Sequence, residues 1–341
     1  MILKRLWIAL SILALSATAN AAVNLTGAGA TFPAPLYTKW FFEYHAANPS
    51  LEINYQPIGS GGGIRQLTDR TIDFGASDAP MTDEQLAKAT ASPVLHIPTV
   101  LGAVVMTYNL PGVTGKVRLT SDVIADIFLG KITQWSDARI TALNPALTLP
   151  KDLAILVAHR SDGSGTTAVF SDYLSKTSAD WKAKVGSGTA LKWPVGLGGK
   201  GNDGVTGLVS QTPGAIGYIE LTYAQTNKLP FAEIKNKAGN FVDPSPKSVT
   251  AAANGALKTM PEDFRVSITD SPAKDAYPIS SFTYLLIYKK MPAEKSKPLQ
   301  EFLMWAMNQG QKMAEPLFYA PLPKSMVPKV IAKIKTMATE N

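Results

Sequence analysis

Short runs of β-forming residues alternate along the chain with amphipathic helical patterns, and this alternation constrains the fold more than any other feature. The alternation of the two patterns predicts an α/β fold. Helices are expected after Pro33 and Pro35, after the capping-box pair Thr82 and Gln85, and after Ser121. Two more are expected at residues 298–309 and 326–337. The strands are expected at residues 51–55, 71–75, 100–109, 153–158, 215–219 and 282–288.

The first 21 residues have the layout of a cleavable secretory signal. Lys4 and Arg5 precede an apolar run at residues 6–15, and small residues end at Ala21. The run is too short to span a bilayer. There is no cysteine, so no disulfide, no cysteine zinc site and no lipid-bearing cysteine at the cleavage site is expected. We expect a mature protein that begins near residue 22 and lies free in the periplasm.

The remaining chain, residues 22–341, is longer than one compact core usually holds, so two lobes are expected. The formal net charge is +7 for the full sequence and +5 without Lys4 and Arg5, which mildly favours anionic ligands. The basic residues are scattered, which argues against nucleic acid as a partner. His45, His96 and His159 are isolated and have no metal-ligand spacing, so no metal site is expected.

Three loops rich in Gly, Ser and Thr interrupt the pattern where strands end or helices begin, at residues 27–32, 59–63 and 161–166. Ligands of open α/β sheets bind at the carboxyl ends of strands. Backbone N–H groups at a helix N-terminus attract anions. Hydroxyl donors are available from Thr31, Ser60, Ser164 and Thr166. Each loop taken alone also fits an ordinary glycine-containing connection.

Charged residues beside these loops refine the prediction. Arg160 ends a predicted strand and can offer two parallel N–H bonds to an oxyanion, with Asp162 positioned to hold it. Asp78 follows another strand and should repel an anion, unless that anion carries a proton that the carboxylate can accept. Phosphate has such a proton and sulfate does not, so we expect a site that contains Asp78 to bind phosphate in preference to sulfate. Alternatively, Asp78 caps the turn before Pro80.

Competing motifs are weaker. Residues 196–201 match a dinucleotide-binding pattern, but no clear helix is expected after them. Ser164 lies between glycines without completing a nucleophile elbow. His159 is expected to have a structural role beside Arg160.

The loops taken together resemble the family of periplasmic phosphate-binding proteins of the phosphate-specific ABC transporter. Four separated motifs in the same order are far more specific than any one of them. The similarity covers most of the mature chain, through residues 26–33, 58–62, 73–80, 128–132, 160–166, 192–204 and 213–218.

The resemblance implies a type II periplasmic binding protein fold, with two α/β lobes joined by two crossover strands and the ligand in the cleft. Lobe I would comprise residues 22–103 plus 281–341, and lobe II residues 104–280. Asp162 would support the binding arginine. The residues implied to bind phosphate are Thr31, Phe32 (through its backbone N–H), Ser60, Asp78, Arg160, Ser164, Gly165 and Thr166.

The implied function is capture of inorganic phosphate by lobe closure and its delivery to the permease and ATPase of an inner-membrane ABC importer. A non-enzymatic monomer without a cofactor is expected. The alternatives are specificity for another tetrahedral oxyanion (arsenate, sulfate or molybdate), a secreted phosphatase with Ser164 as nucleophile, and a paralogue for sensing or adhesion that retains phosphate binding.

Overall fold

A computed structural model of the chain describes residues 22–340, so the predicted signal peptide, residues 1–21, lies outside the described residues. Strands alternate with helices through most of this part of the chain. The strands are β1 (Val23–Gly29), β2 (Leu51–Gln56), β3 (Phe74–Ser77), β4 (Val94–Tyr108), β5 (Arg118–Leu119), β6 (Leu156–Arg160), β7 (Leu197–Gly199), β8 (Ala215–Glu220), β9 (Glu233–Lys235), β10 (Phe241–Val242), β11 (Ser280–Tyr288), β12 (Lys290–Met291) and β13 (Ala338–Thr339).

The helices are α1 (Ala34–Ala47), α2 (Ser60–Thr68), α3 (Asp83–Lys88), α4 (Ser121–Phe128), α5 (Ala138–Leu143), α6 (Gly165–Thr177), α7 (Ala179–Lys184), α8 (Gly201–Gln211), α9 (Leu221–Thr226), α10 (Pro246–Ala256), α11 (Ala293–Asn308) and α12 (Val327–Ile334). Short 3-10 helices lie at Leu257–Thr259, Gly310–Met313 and Glu315–Leu317. Within residues 22–340, no helix is both long enough and apolar enough to cross a membrane.

One mixed sheet organises the molecule, in the order β2-β1-β3-β11-β4-β8-β6-β7. Strand β4 joins its two halves, since residues 94–103 pair with β11 and residues 104–108 pair with β8. We call β2, β1, β3 and β11 with their following loops the first half, and β8, β6 and β7 with theirs the second half. β1, β2 and β3 are parallel, and so are β6, β7 and β8. Each half therefore has strand carboxyl ends at which a ligand site can form.

The core follows the apolar pattern of the sequence. The predicted inner face of α1, formed by Leu36, Trp40, Phe41 and Tyr44, is buried. These residues recur at the spacing of one helix face. The indole N–H of Trp40 donates to the Gly310 carbonyl at 2.9 Å and ties the helix to the C-terminal region.

The predicted α/β alternation is confirmed, but several boundaries differ. The sequence did not predict strand β1, because its last residues were assigned to a glycine-rich loop. In the structure these residues are extended, since they pair with β2 and β3. β4 begins at Val94 rather than residue 100. α11 begins at Ala293 rather than residue 298 and includes Pro298 in its second turn, where the missing N–H removes one helical hydrogen bond. The capping box of Thr82 and Gln85 is present.

Candidate anion-binding site

Arg160 is the last residue of β6, and its side chain is 1% exposed. Its Nε and Nη2 atoms donate to the two carboxylate oxygens of Asp162 at 2.7 and 2.6 Å. Nη1 donates to the Thr166 hydroxyl at 3.2 Å. These bonds engage three N–H groups of the guanidinium, and two of its five remain for another acceptor. The predicted contact between Asp162 and Arg160 is therefore present.

Asp162 is held as a carboxylate. Burial raises its pKa, but the hydrogen bonds and charge of Arg160 and the backbone N–H of Gly201 outweigh burial, so the pKa lies below its usual range. Gly201 donates to the same carboxylate at 3.0 Å. Asp162 thus links the end of β6 to the start of α8.

Asp78 follows β3 and is buried, with 1% exposure. One carboxylate oxygen accepts from the Thr283 hydroxyl at 2.9 Å. The other, Oδ2, has no hydrogen-bond partner among the described residues. Burial raises the pKa of Asp78 to about 7, against the hydrogen bond from Thr283, the positive charge of Arg160 and the nearby Ser60 hydroxyl. A buried acceptor without a partner is costly, which indicates that Oδ2 is suited to a ligand that donates a proton.

Helix N-termini bring backbone donors from both halves of the sheet. α2 begins at Ser60, whose hydroxyl accepts from the Asp78 N–H at 3.3 Å. α6 begins at Gly165, and Ser164 is its N-cap, accepting from the Thr167 N–H at 3.0 Å. The first N–H groups of a helix have no intrahelical partner and favour negative charge.

Gly165 shows how closely the two halves meet. A Cβ atom at this position would lie 2.5 Å from Asp78 Oδ2 and would also collide with the Ser60 hydroxyl. Close by, the Gly61 N–H donates to the Gly163 carbonyl at 2.8 Å, again between the halves. The N-terminus of α6 and Asp78 Oδ2 therefore lie side by side where the two halves of the sheet meet.

Thr31 and Phe32 complete the set of predicted residues. They form the turn between β1 and α1, and both are buried. The carbonyl of Thr31 accepts from the Tyr223 hydroxyl of the second half at 2.5 Å. The carbonyl of Phe32 accepts from the Tyr319 hydroxyl at 2.6 Å. No hydrogen bond links Thr31 directly to Arg160 among the described residues; the link passes through Asn202.

The sequence interpretation of residues 196–201 needs correction, because a helix does follow them. α8 begins at Gly201, directly after β7. Its three glycines lower its intrinsic helix propensity, so the sequence pattern did not predict it. One of them, Gly204, permits close packing, since a Cβ added there would lie 2.9 Å from the backbone carbonyl carbon of Gly199. The missed helix carries Asn202 into the site.

Other supporting residues were also missed. Thr283 on β11 contacts Asp78, and the Tyr218 hydroxyl on β8 accepts from the backbone N–H of Arg160 at 3.1 Å. His159, in contrast, has the structural role expected of it: its ring stacks on Trp193 with 4.7 Å between centroids.

Comparison with known proteins identifies the family of the chain. The PBP superfamily domain matches residues 15–309. The phosphate-binding protein PstS of Xylella fastidiosa (strain Temecula1 / ATCC 700964) is 46% identical over 319 residues, covering 93% of this chain and 86% of that protein. The phosphate-binding protein PstS of Pasteurella multocida (strain Pm70) is 45% identical over 319 residues, covering 92% of this chain and 91% of that protein. The chain belongs to the PstS family.

Solved structures share the fold of this PstS family member. A high affinity periplasmic phosphate-binding protein bound with phosphate has a TM-score of 0.72 at 21% identity, covering 91% of this chain and 93% of that chain. A phosphate binding protein from Stenotrophomonas maltophilia has a TM-score of 0.67 at 18% identity, covering 91% and 94%. The predicted family and type II periplasmic binding protein fold are confirmed.

Proposed function

We propose that this protein binds inorganic phosphate in the periplasm and delivers it to an inner-membrane ABC importer. One observation carries the proposal: the helix N-termini at Ser60 and Gly165, one from each half of the sheet, meet beside a buried acceptor, Asp78 Oδ2, that has no partner among the described residues. A protonated tetrahedral oxyanion suits this set, because it accepts at its oxygens and donates one proton. The names of the relatives, phosphate-binding proteins, agree with this ligand.

Each site residue has a defined role in the proposal. Arg160 offers its two remaining N–H groups and its charge, and Asp162 keeps its guanidinium in place. Asp78 accepts the P–OH hydrogen bond. The remaining ligand contacts come from the hydroxyl or backbone N–H groups of Thr31, Phe32, Ser60, Ser164, Gly165 and Thr166.

Lobe closure follows from this division of donors. We take lobe I as residues 22–103 plus 281–341 and lobe II as residues 104–280. The change of partner along β4, from β11 to β8 after Ala103, supports the first boundary. A ligand that bonds to Asp78 and Arg160 at once completes its contacts only when the lobes meet, so phosphate favours the closed state. The permease and ATPase complex would respond to that closed form.

Selectivity and chemistry separate this function from its alternatives. Sulfate and molybdate, without a proton, would meet the Asp78 carboxylate unpaired, whereas arsenate remains a competitor. For a phosphatase, Ser164 would have to act as nucleophile. Its hydroxyl instead accepts the Thr167 N–H as an N-cap, which supports a binding role.

Isothermal titration of phosphate-stripped mature protein, followed by competition with sulfate at neutral pH, tests the proposal. We expect one-to-one phosphate binding that excess sulfate leaves intact. Absent phosphate binding, or equal affinity for sulfate, would refute it. Turnover of a chromogenic phosphate ester that is lost in Ser164→Ala would favour the phosphatase.

The setting of the protein is proposed from the same family. It would act as a monomer in the periplasm, released from its signal peptide, without a lipid anchor, a cofactor or a nucleic-acid partner. The importer's permease and ATPase would be its protein partners. Light scattering of the purified mature protein measures whether it is a monomer. Phosphate uptake by vesicles that contain the importer measures whether the importer is its partner.

A further inference from the structure

The side-chain amide of Asn202 contacts hydroxyls on both sides of the site. Its Nδ2 atom donates to Thr31 Oγ1 at 2.8 Å in the first half and to Thr166 Oγ1 at 3.3 Å in the second. Its backbone N–H also donates to Thr31 Oγ1, at 3.2 Å. Asn202 itself is fully buried. One residue of α8 therefore joins the two threonines on which ligand binding is proposed to depend.

These contacts fix where the threonine protons can go. A hydroxyl oxygen accepts two hydrogen bonds and donates one. Thr31 Oγ1 accepts both of its bonds from Asn202. Thr166 Oγ1 accepts one from Arg160 and one from Asn202. Because each oxygen has its acceptor positions filled, each hydroxyl has only its proton left to offer.

The orientation of the amide is itself determined by a neighbour. The backbone N–H of Glu220 donates to Asn202 Oδ1 at 2.9 Å. An N–H group needs an acceptor, so the amide oxygen must face Glu220 and the NH₂ group must face the threonines. The backbone carbonyl of Asn202 accepts from Thr206 at 2.8 Å, which anchors the residue within α8.

We propose that Asn202 is a positioning residue that commits the Thr31 and Thr166 hydroxyls to donate to the bound anion and holds these two hydroxyls together across the closed site. The inference rests on the proposed phosphate binding. It assigns to Asn202 no direct contact with phosphate. Without the amide, each hydroxyl keeps one donor, the backbone N–H of residue 202 for Thr31 and Arg160 for Thr166. The second lone pair of each oxygen is then free to face the anion, which repels it.

A double-mutant cycle distinguishes this role from a merely structural one. We expect Asn202→Ala to weaken phosphate binding by about 10-fold to 100-fold, since hydrogen bonds to a charged group are among the strong ones. In a Thr31→Val, Thr166→Val background the same substitution should cost less than about 2-fold, because the hydroxyls through which it acts are gone. Titration calorimetry measures all four affinities.

A matched control is Asn109→Ala, which also removes an amide donor to α8. Asn109 Nδ2 donates to the carbonyls of Val209 and Ser210, both at 3.0 Å, near the end of the helix remote from the site. This variant is expected to bind phosphate as the unmodified protein does. Comparison of its melting temperature with that of Asn202→Ala separates loss of stability from loss of orientation.

The outcomes are distinguishable from those of the proposed function. An unmodified protein that fails to bind phosphate overturns both. If the unmodified protein binds, then an unchanged affinity in Asn202→Ala, or an equal loss in both backgrounds, overturns only the role of Asn202. If Asn202→Ala does not fold, Asn202→Asp serves instead, because it keeps the acceptor for Glu220. It should bind phosphate more weakly than the unmodified protein, because a carboxylate offers the threonines no N–H donor. Phosphate binding at the original affinity would overturn the proposal.

Discussion

Two loops of the site each contain an aspartate, Asp78 buried and Asp162 partly buried, and the two behave in opposite ways. In the loop after β6, Asp162 accepts two hydrogen bonds from Arg160, and its pKa lies below the usual range. In the loop after β3, burial raises the pKa of Asp78 to about 7, and one of its oxygens has no partner among the described residues. The difference lies in which side chain faces the carboxylate.

The comparison shows how one residue type can serve two purposes in a single site. The Asp162 carboxylate accepts two of the Arg160 N–H groups, so only the other N–H groups of that side chain can reach a ligand. Asp78 keeps its Oδ2 atom available as an acceptor. The cost of burying its negative charge is only partly offset by the charge of Arg160, so its pKa is raised. Changes to each loop should therefore have different effects, which the following predictions test.

The largest effect is expected from Arg160→Met. The variant loses the positive charge of the site and leaves the partly buried Asp162 without its cation. Removing one partner of a buried ion pair costs about 3–5 kcal/mol of stability, and we expect phosphate affinity to fall at least about 1,000-fold. Titration calorimetry and thermal unfolding measure these quantities. Arg139→Met, which removes an exposed arginine paired with Asp137, should change neither by more than about 1 kcal/mol.

Gly165→Ala tests how closely the two loops must approach. The added methyl group would lie 2.5 Å from Asp78 Oδ2, so the site cannot close without displacement. We expect about a 100-fold loss of phosphate affinity, the order of an overpacking cost of 1–3 kcal/mol. Gly207→Ala is the control, because nothing lies within 4 Å of its added Cβ. Equal affinities for the two variants would mean that closure does not bring these atoms together.

Asp78→Asn should change selectivity more than affinity. The amide can still accept a P–OH hydrogen bond through its oxygen, but it no longer presents a charge to sulfate. We expect sulfate affinity to rise by about 10-fold or more while phosphate affinity changes less, since a buried charged group left unpaired costs about 1–3 kcal/mol or more. Competition calorimetry measures both.

Asp162→Asn is the matched variant for that selectivity test. It disturbs Arg160, which any tetrahedral anion contacts, and should weaken phosphate and sulfate binding alike. The comparison between the two aspartates fails if Asp162→Asn alters selectivity and Asp78→Asn does not.

Without phosphate, the pH dependence of stability also distinguishes the two aspartates. The folded pKa of Asp78, about 7, exceeds its usual value of 3.8, so the folded state holds a proton that the unfolded chain releases. Its contribution to stability is complete below about pH 4 and is lost as the pH rises to about 7, a decrease of at most a few kcal/mol.

Asp78→Asn should therefore flatten the fall in melting temperature between pH 4 and 7. Glu220, whose pKa burial also raises, adds a slope of the same sign that the variant retains. Asp162 acts in the opposite direction: its stabilisation is present above the usual aspartate pKa and is lost as the pH falls through its lowered value. An unchanged pH profile in Asp78→Asn would contradict the raised pKa.

The sequence predicted much of the site because its loops carry local signals. Glycine and hydroxyl residues at strand ends, together with the order of the motifs, were sufficient to select Thr31, Ser60, Asp78 and Arg160 as candidates. Asp162 was expected to hold Arg160, and that contact is present. Such residues are readable because the backbone geometry that they require, a strand leading into a helix N-terminus, is encoded within a few neighbouring positions.

The sequence alone therefore determined the α/β class, the family motifs and the candidate binding residues. Only the tertiary structure revealed that Thr283 faces Asp78 and that Asn202 joins Thr31 to Thr166. These partners lie on strands or helices far away along the chain. Asn202 is in the first turn of α8, a helix whose three glycines lower its helix propensity. Burial and pairing of such distant residues arise only when the sheet assembles, and they decide which of two similar aspartates keeps a free acceptor.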